Sequence, residues 1–242
     1  MLSSSDPTTS GYDRVSTMFS PKGRLYQVEY ASKIVEQGTT GIGLVYKNGI
    51  MLGAEKHVSS KLVLPESIEK LFRIDVHAGA ISSGLVGDAR RLIKIAREKA
   101  QENKILYEEP ITIETLVREI SAIKQAFTQY GGMRPFGVSF VFGGFDNGTP
   151  RVFETEPSGA MAEYKAVAIG RGKKHAMSFL ETRYKEGLTK DAALKLVLKT
   201  LESVTKKEFS LEKLDFVFIE KESGYNSLSM KELKTALGNS KK

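Results

Sequence analysis

The chain has 242 residues, of which 40% are hydrophobic and 27% are charged. These proportions are ordinary for a globular protein and exclude a chain that is disordered throughout. The 36 Lys and Arg residues exceed the 29 Asp and Glu residues, and the resulting net charge of +7 is too diffuse to demand a nucleic-acid partner. The sequence contains no Cys, which excludes disulfides, thiolate metal sites and cysteine nucleophiles.

The N-terminal segment and the length of the apolar runs indicate where in the cell we expect the protein to be. No stretch approaches the roughly 18–20 apolar residues that a membrane span needs. Residues 1–11 are rich in Ser and Thr and lack the basic start and apolar centre of a signal peptide. We therefore expect a flexible N-terminal segment, no membrane partner and a cytoplasmic protein. Asn147-Gly148-Thr149 has the form of a glycosylation sequon, but without secretion it is better interpreted as the turn of a hairpin.

Hydrophobic periodicity predicts elements that occur in groups. Residues 24–37 carry apolar side chains at helical spacing, and Gly38 is the predicted C-cap of this first helix. Lys47-Asn48-Gly49 lies between two apolar runs and predicts a β-hairpin. The same reasoning predicts strands at 40–46, 50–55, 78–83, 138–144, 151–155, 166–169 and 215–219, and helices at 88–103, 112–130, 173–186, 189–205 and, shorter, within 231–242.

The order of these elements indicates the fold class. Strands are grouped rather than alternating one by one with helices, which argues against a doubly wound parallel sheet. Paired helices after grouped strands favour two sheets packed face to face with helix layers outside. No linker or internal repeat divides the chain, so we expect a single domain.

Several familiar kinds of site are disfavoured by residue spacing. His57, His77 and His175 are scattered and lack the spacing of metal ligands, so we expect no metal. The glycines of 169–174 are too closely spaced for a phosphate-binding loop, and no Ser or Thr follows the lysine. Residues 80–84 lack the first glycine of a nucleophile elbow, and no His base lies nearby in sequence. We expect no cofactor.

Thr39, Glu55 and Lys70 form the one set that suggests an enzyme. A threonine hydroxyl becomes a nucleophile when a base takes its proton, and a free N-terminal amine on the same residue can do so. A lysine beside that amine lowers its proton affinity, and a carboxylate orients the lysine. This set works only if the chain is cut between Gly38 and Thr39. Otherwise Thr39 is simply the first residue of a strand, and composition does not choose between the two.

The most specific motifs of the chain lie in several separate segments. They are Tyr12-Asp13-Arg14, the run Phe-Ser-Pro-Lys-Gly-Arg-Leu-Tyr-Gln-Val-Glu-Tyr-Ala at 19–31, Ser-Ile-Glu-Lys at 67–70, Ser-Gly-Leu-Val-Gly-Asp-Ala-Arg at 83–90, and Gln-Tyr-Gly-Gly-Met-Arg-Pro-Phe-Gly-Val-Ser at 129–139. These segments resemble the α-type subunits of the 20S proteasome, and the similarity runs from about Tyr12 to Ile219.

The resemblance implies a fold and a division of the chain. The fold is α+β, the four-layer αββα sandwich of N-terminal-nucleophile hydrolases, with an extra N-terminal helix. The chain would then consist of a flexible segment (1–11), a gate segment with the N-terminal helix (12–38), the sandwich (39–230) and a Lys-rich C-terminal tail (231–242).

The same resemblance implies that the threonine set is silent. α-type subunits keep the segment before the threonine, here residues 1–38, and its helix lies across the cleft where catalytic β-type subunits hold substrate. Thr39, Glu55 and Lys70 are then only positional counterparts of the β-type nucleophile, acid and lysine. The alternative is a processed β-type threonine peptidase with Thr39 as its nucleophile.

The resemblance also implies a gate in an assembled particle. α-type subunits form seven-membered rings that cap the β-rings, and their N-termini control substrate entry to the axial pore. The positions that match the family's gate cluster are Tyr12, Asp13, Arg14, Pro21, Tyr30 and Glu156. At Glu156 the archaeal-like pattern has an Asp.

A docking pocket for partners follows from the same family pattern. In α-rings, pockets between neighbouring subunits receive the C-terminal tails of activator ATPases. Lys70 matches the lysine that pairs with the tail carboxylate, and Gly38 and Leu85 match other positions in the pocket wall. The expected partners are therefore other α subunits, β subunits and an ATPase with docking tails, acting together in ATPase-driven or ubiquitin-independent protein degradation.

Overall fold

The computed structural model describes residues 15–58, 60, 62–206 and 209–238, and these ranges contain six α-helices and ten strands. The helices are α1 (Tyr26–Gln37), α2 (Val86–Tyr107), α3 (Ile113–Ala126), α4 (Lys173–Arg183), α5 (Lys190–Thr205) and α6 (Met230–Gly238). The strands are β1 (Gly41–Tyr46), β2 (Gly49–Glu55), β3 (Leu71–Asp75), β4 (Ala78–Gly84), β5 (Val138–Asp146), β6 (Thr149–Thr155), β7 (Met161–Tyr164), β8 (Ala166–Ile169), β9 (Leu214–Glu220) and β10 (Gly224–Ser227). Within the described ranges, no helix is both long enough and apolar enough to cross a bilayer.

The strands form two five-stranded antiparallel sheets. One sheet has the order β10-β9-β2-β1-β8 and the other the order β3-β4-β5-β6-β7. Helices α2 and α3 cover the second sheet, and α4 and α5 cover the first. The inner faces of the two sheets share a third cluster of buried side chains. The predicted four-layer αββα sandwich is therefore confirmed.

Strand β5 shows how the sequence produces this layering. Successive side chains of a strand point to opposite faces of its sheet. Phe140 and Phe142 accordingly pack against the α2 and α3 layer, whereas Val141 between them packs against the facing sheet. Both faces of β5 are buried, so it is a nearly continuous apolar run rather than an alternating one.

Sequence periodicity missed β3, β7 and β10, which all lie at sheet edges. β7 and β10 have four residues each and carry partly exposed or polar side chains, so their patterns are weak. β3 alternates between exposed and buried positions, and its buried Phe72 and Ile74 were a usable signal. The helix bounds also differ, since α2 extends to Tyr107 and α3 ends at Ala126.

The two predicted hairpin turns are both present, but they differ in geometry. Asn147 and Gly148 have φ angles of 51° and 85°, as a tight turn with a right-handed strand twist requires. At the first hairpin Tyr46 pairs with Gly49, so the loop is Lys47-Asn48 and Gly49 begins β2. Neither Asn48 nor Gly49 has a positive φ, and the expected Asn-Gly turn geometry is wrong there.

Helix α1 ends at Gly38, as predicted, but not because glycine permits a left-handed backbone. Gly38 has an extended backbone, with φ −67° and ψ 156°. A Cβ atom at this position would lie 2.4 Å from Ser83 Oγ and 2.7 Å from Gly84 N. Glycine is therefore needed because the end of α1 approaches strand β4 more closely than any side chain allows.

Lys124 is a fully buried charge on the inner face of α3. Its Nζ donates to Thr155 Oγ1 at 2.9 Å and to Thr155 O at 3.3 Å. It also lies 5.3 Å from the centroid of the Phe140 ring. Burial lowers the pKa of Lys124 to about 7, and the carboxylates of Glu154 and Glu156 oppose this shift only in part.

Lys124 predicts a pH-dependent stability. Its pKa is about 7 in the folded protein but about 10.4 in an unfolded chain. Between these values the unfolded state binds more protons, so the free energy of unfolding rises with pH; below pH 7 the burial cost is present in full. We expect Lys124→Met to raise the free energy of unfolding at pH 6 by on the order of 1 kcal/mol, and by less at pH 9.

Thermal melting midpoints at the two pH values, at one protein concentration, measure this difference. Lys199→Met on α5 is the matched control, since Lys199 is an exposed lysine. A midpoint shift for Lys124→Met that is equal at pH 6 and pH 9 contradicts the assignment.

Candidate functional site

Thr39 lies at the junction between α1 and β1, where Lys70 and Ser83 meet it. Lys70 Nζ donates to Thr39 Oγ1 at 2.5 Å and to Thr39 O at 3.1 Å. Ser83 Oγ, from β4, lies 3.1 Å from the same Thr39 O and 3.2 Å from Val35 O of α1, and its one hydroxyl hydrogen is shared between these two acceptors. The pairing of β3 with β4 positions both donors, because Lys70 immediately precedes β3. The predicted proximity of Thr39 and Lys70 is present.

The Lys70 ammonium is held in an environment that disfavours its charge. The residue is only 8% exposed, and this burial lowers the pKa of Lys70 to about 8. The carboxylate of Glu55 acts in the opposite direction, and the Arg171 guanidinium adds to the lowering. Lys70 still carries its proton in most molecules at neutral pH, so it is a buried cation with hydrogen atoms to donate.

Glu55 does not orient Lys70 directly, which corrects the expected arrangement. Glu55 is 4% exposed at the end of β2 and forms an ion pair with the Arg171 guanidinium. Among the described residues, no ion pair within 4.0 Å joins Glu55 to Lys70. Arg171 follows β8, 116 positions from Glu55, in the glycine-containing loop 169–174. Sequence reasoning considered this loop only as a phosphate site and missed its arginine.

Hydrogen bonds to Arg171 hold the backbone on both sides of Thr39. Gly38 O accepts a hydrogen bond from Arg171 N at 2.7 Å, and Thr40 Oγ1 donates to Arg171 O at 2.5 Å. In the chain as translated, the nitrogen of Thr39 belongs to the peptide bond with Gly38. Thr39 has a hydroxyl and a neighbouring lysine, and a threonine hydrolase would in addition need that bond cut to free the α-amine base.

Helix α1 packs against β4 and β5, which are neighbouring strands of the second sheet. A cavity of about 100 Å³ lies beside α1 and is lined by residues that include Val35 of α1, Ser139 of β5, Glu154 of β6 and Lys173 at the start of α4. Thr39, Glu55 and Lys70 are not among its lining residues.

The predicted gate residues fall in four places. Tyr12, Asp13 and Arg14 lie outside the described residues. Pro21 is exposed in the turn before α1, where Gly23 N donates to Ser20 O at 2.8 Å.

The other two gate candidates lie on different elements. Tyr30 is on α1 and stacks on Tyr26, with 6.4 Å between ring centroids. Glu156 follows β6 and lies 3.7 Å from Lys173 Nζ, which also bonds the buried Glu154. In the described part of the chain, no hydrogen bond or ion pair joins Pro21, Tyr30 and Glu156 to one another.

The predicted pocket positions lie around one end of β4. Gly38 approaches Ser83 and Gly84 at that end. Leu85 follows directly, is 38% exposed and donates its N–H to Gly137 O at 2.9 Å. Lys70 is joined to the same neighbourhood through Thr39. The structure therefore places Gly38 and Leu85 at the same end of β4 and links Lys70 to this end through Thr39.

Comparisons with known proteins agree with this geometry. The family pattern described as proteasome subunit matches residues 35–219, and the N-terminal signature of A-type proteasome subunits matches residues 12–33. The chain is 50% identical over 215 residues to a proteasome alpha subunit of Methanococcus maripaludis, which covers 89% of this chain and 82% of the relative. It is 47% identical over 226 residues to that of Methanocaldococcus jannaschii (93% and 86%) and 44% identical over 227 residues to that of Methanopyrus kandleri (94% and 92%).

The α-type signature covers the segment that precedes Thr39 and includes the start of α1. The relatives carry the alpha name and match nearly the whole chain, which favours the α-type interpretation over the β-type alternative. The chain therefore belongs to the proteasome family, and within it to the α-type subunits.

Proposed function

We propose that this chain is a non-catalytic subunit that forms a seven-membered outer ring on β subunits in the cytoplasm. It gates substrate entry through its N-terminal segment and docks the C-terminal tails of an activator ATPase. The observation that carries the non-catalytic part is the N-terminal signature of A-type subunits over residues 12–33, which precede Thr39. Hydrogen bonds from Ser83 and Arg171 hold the end of α1 on the sandwich, which supports retention of this segment.

The docking role is supported by the surroundings of Lys70. A lysine is a flexible point charge, suited to pair with a terminal carboxylate. Gly38 is the chain neighbour of Thr39, to which Lys70 is bonded, and the partly exposed Leu85 follows the end of β4 that Gly38 approaches. In this proposal the pocket binds a peptide C-terminus.

The gating role is assigned to Tyr12, Asp13, Arg14, Pro21, Tyr30 and Glu156. Glu156 has a charged partner, since Lys173 Nζ lies 3.7 Å from it. That pairing is compatible with a gate contact because Glu156 is half exposed and Lys173 also bonds Glu154.

The intact mass of the chain, taken from the assembled particle, tests the non-catalytic proposal. We expect a mass that retains the segment before Thr39, because α1 is tied to the sandwich through Gly38, Thr39 and Ser83. A chain that begins at Thr39 overturns the proposal and favours a threonine peptidase with Thr39, Glu55 and Lys70 at its site.

Deletion of residues 1–13 tests the gate. We expect the assembled particle to hydrolyse short fluorogenic peptides several-fold faster, because an obstruction at the pore is removed. Deletion of residues 239–242 is the matched control and leaves the rate unchanged. An unaltered rate after the N-terminal deletion contradicts the gating role of this segment.

Substitution of Lys70 tests the docking pocket. We expect Lys70→Ala to abolish the stimulation of peptide hydrolysis by a synthetic activator tail while particle assembly, followed by size-exclusion chromatography, is retained. Lys199→Ala, at an exposed lysine of α5, is the control that keeps full stimulation. Stimulation of the Lys70→Ala particle to the parent level contradicts the assignment.

A further inference from the structure

The Lys70 ammonium already has a partner inside the chain. It donates two hydrogen bonds to Thr39, one to the hydroxyl at 2.5 Å and one to the carbonyl oxygen at 3.1 Å. With the residue 8% exposed, the head group is directed at the α1–β1 junction rather than at solvent. A carboxylate that binds Lys70 must therefore take the ammonium from Thr39.

The charges around Lys70 make this exchange favourable for a carboxylate. Glu55 and Arg171 are the charged groups that act on Lys70, and Glu55 is itself paired with Arg171. Within the described part of the chain, the atoms that accept hydrogen bonds from Lys70 are thus the neutral oxygens of Thr39. Hydrogen bonds to a neutral oxygen and to a carboxylate both gain from the charge of the ammonium, but a carboxylate adds the Coulomb attraction between opposite charges, which is strong where solvent is excluded. An incoming carboxylate is therefore a better partner than Thr39, whereas a neutral chain end is not.

Ser83 limits the cost of the exchange. An acceptor that is left buried without a donor is destabilising. The Thr39 carbonyl oxygen avoids this loss, because Ser83 Oγ donates to it at 3.1 Å independently of Lys70. Val35 O, the other acceptor within reach of Ser83, keeps Gly38 N as a donor at 3.0 Å, so the single Ser83 hydroxyl hydrogen is available to Thr39 O while Lys70 is away.

We propose that Thr39 and Ser83 are positioning residues of the docking pocket. Thr39 holds the Lys70 ammonium against the junction until a peptide with a free C-terminal carboxylate accepts it, and Ser83 stabilises the junction once Lys70 has left. This inference rests on the proposed docking role of Lys70. In β-type enzymes the threonine at this position is the nucleophile. Here Thr39 would instead bind the Lys70 ammonium until an incoming carboxylate replaces it.

The test measures tail affinity on the assembled particle. The probe is a fluorescent synthetic peptide of the last eight residues of the host's activator ATPase, used with a free carboxylate and as its C-terminal amide. Thr39→Val removes the competing hydroxyl, and we expect the carboxylate peptide to bind roughly three- to tenfold more tightly. Thr39→Ser restores the hydroxyl and returns the affinity to the parent value. The amide peptide binds weakly to every variant.

Ser83→Ala tests the second half of the proposal. We expect roughly threefold weaker binding of the carboxylate peptide, because departure of Lys70 then leaves Thr39 O without a donor. Thr39→Ala replaces Thr39→Val if the valine variant does not assemble, since it removes the same hydroxyl.

The outcomes separate this inference from the docking proposal. If Lys70→Ala abolishes binding but Thr39→Val, Thr39→Ser and the parent bind equally, Lys70 docks the tail and the exchange with Thr39 is wrong. If Lys70→Ala binds as tightly as the parent, the docking proposal and the exchange both fail. An equal gain for the amide peptide in Thr39→Val also overturns the exchange, because it shows a general opening of the pocket.

Discussion

The structure depends on one carbonyl oxygen, that of Thr39, and on what bonds to it. Lys70 and Ser83 both donate to this atom, and the neighbouring Gly38 carbonyl accepts from Arg171 N. The junction thereby joins α1 and β1 with the starts of β3 and α4 and the end of β4. Buried backbone carbonyl groups need hydrogen-bond donors, and these donors hold the path of the chain between α1 and β1 in place.

The junction forms only if the end of α1 lies very close to strand β4. The end of α1 can reach β4 only because position 38 has no side chain. The contact in turn explains how a lysine is tolerated at 8% exposure, since Thr39 offers two acceptors at a distance that no solvent-facing arrangement of α1 would give. Burial of a charge costs free energy unless its hydrogen atoms find acceptors. The position of α1 and the burial of the Lys70 charge therefore depend on the same contacts at Thr39.

Local periodicity was enough for the layers of the fold and for its central strands, because β5 and its neighbours are buried and strongly apolar. It failed for β7 and β10, whose short, partly polar sequences look like loops when read alone. The contact of Thr39 with Lys70 was within reach of sequence motifs. The partner of Glu55 was not, because Arg171 is 116 positions away and is brought close only by the pairing of β1 with β8. Long-range charge pairing is decided by tertiary structure, which residue spacing does not encode.

The short edge strands have a consequence for the fidelity of assembly. β7, β8 and β10 have four residues each and β3 has five, so both sheets end in strands with few unpaired backbone groups. A long, flat edge is a template for adding a strand from another molecule. A protein that meets many similar chains during its biogenesis is especially open to such errors, which lead to runaway stacking rather than a closed particle. By keeping its edges short, this chain leaves recognition between subunits to side-chain surfaces, which can distinguish the right neighbour from the wrong one.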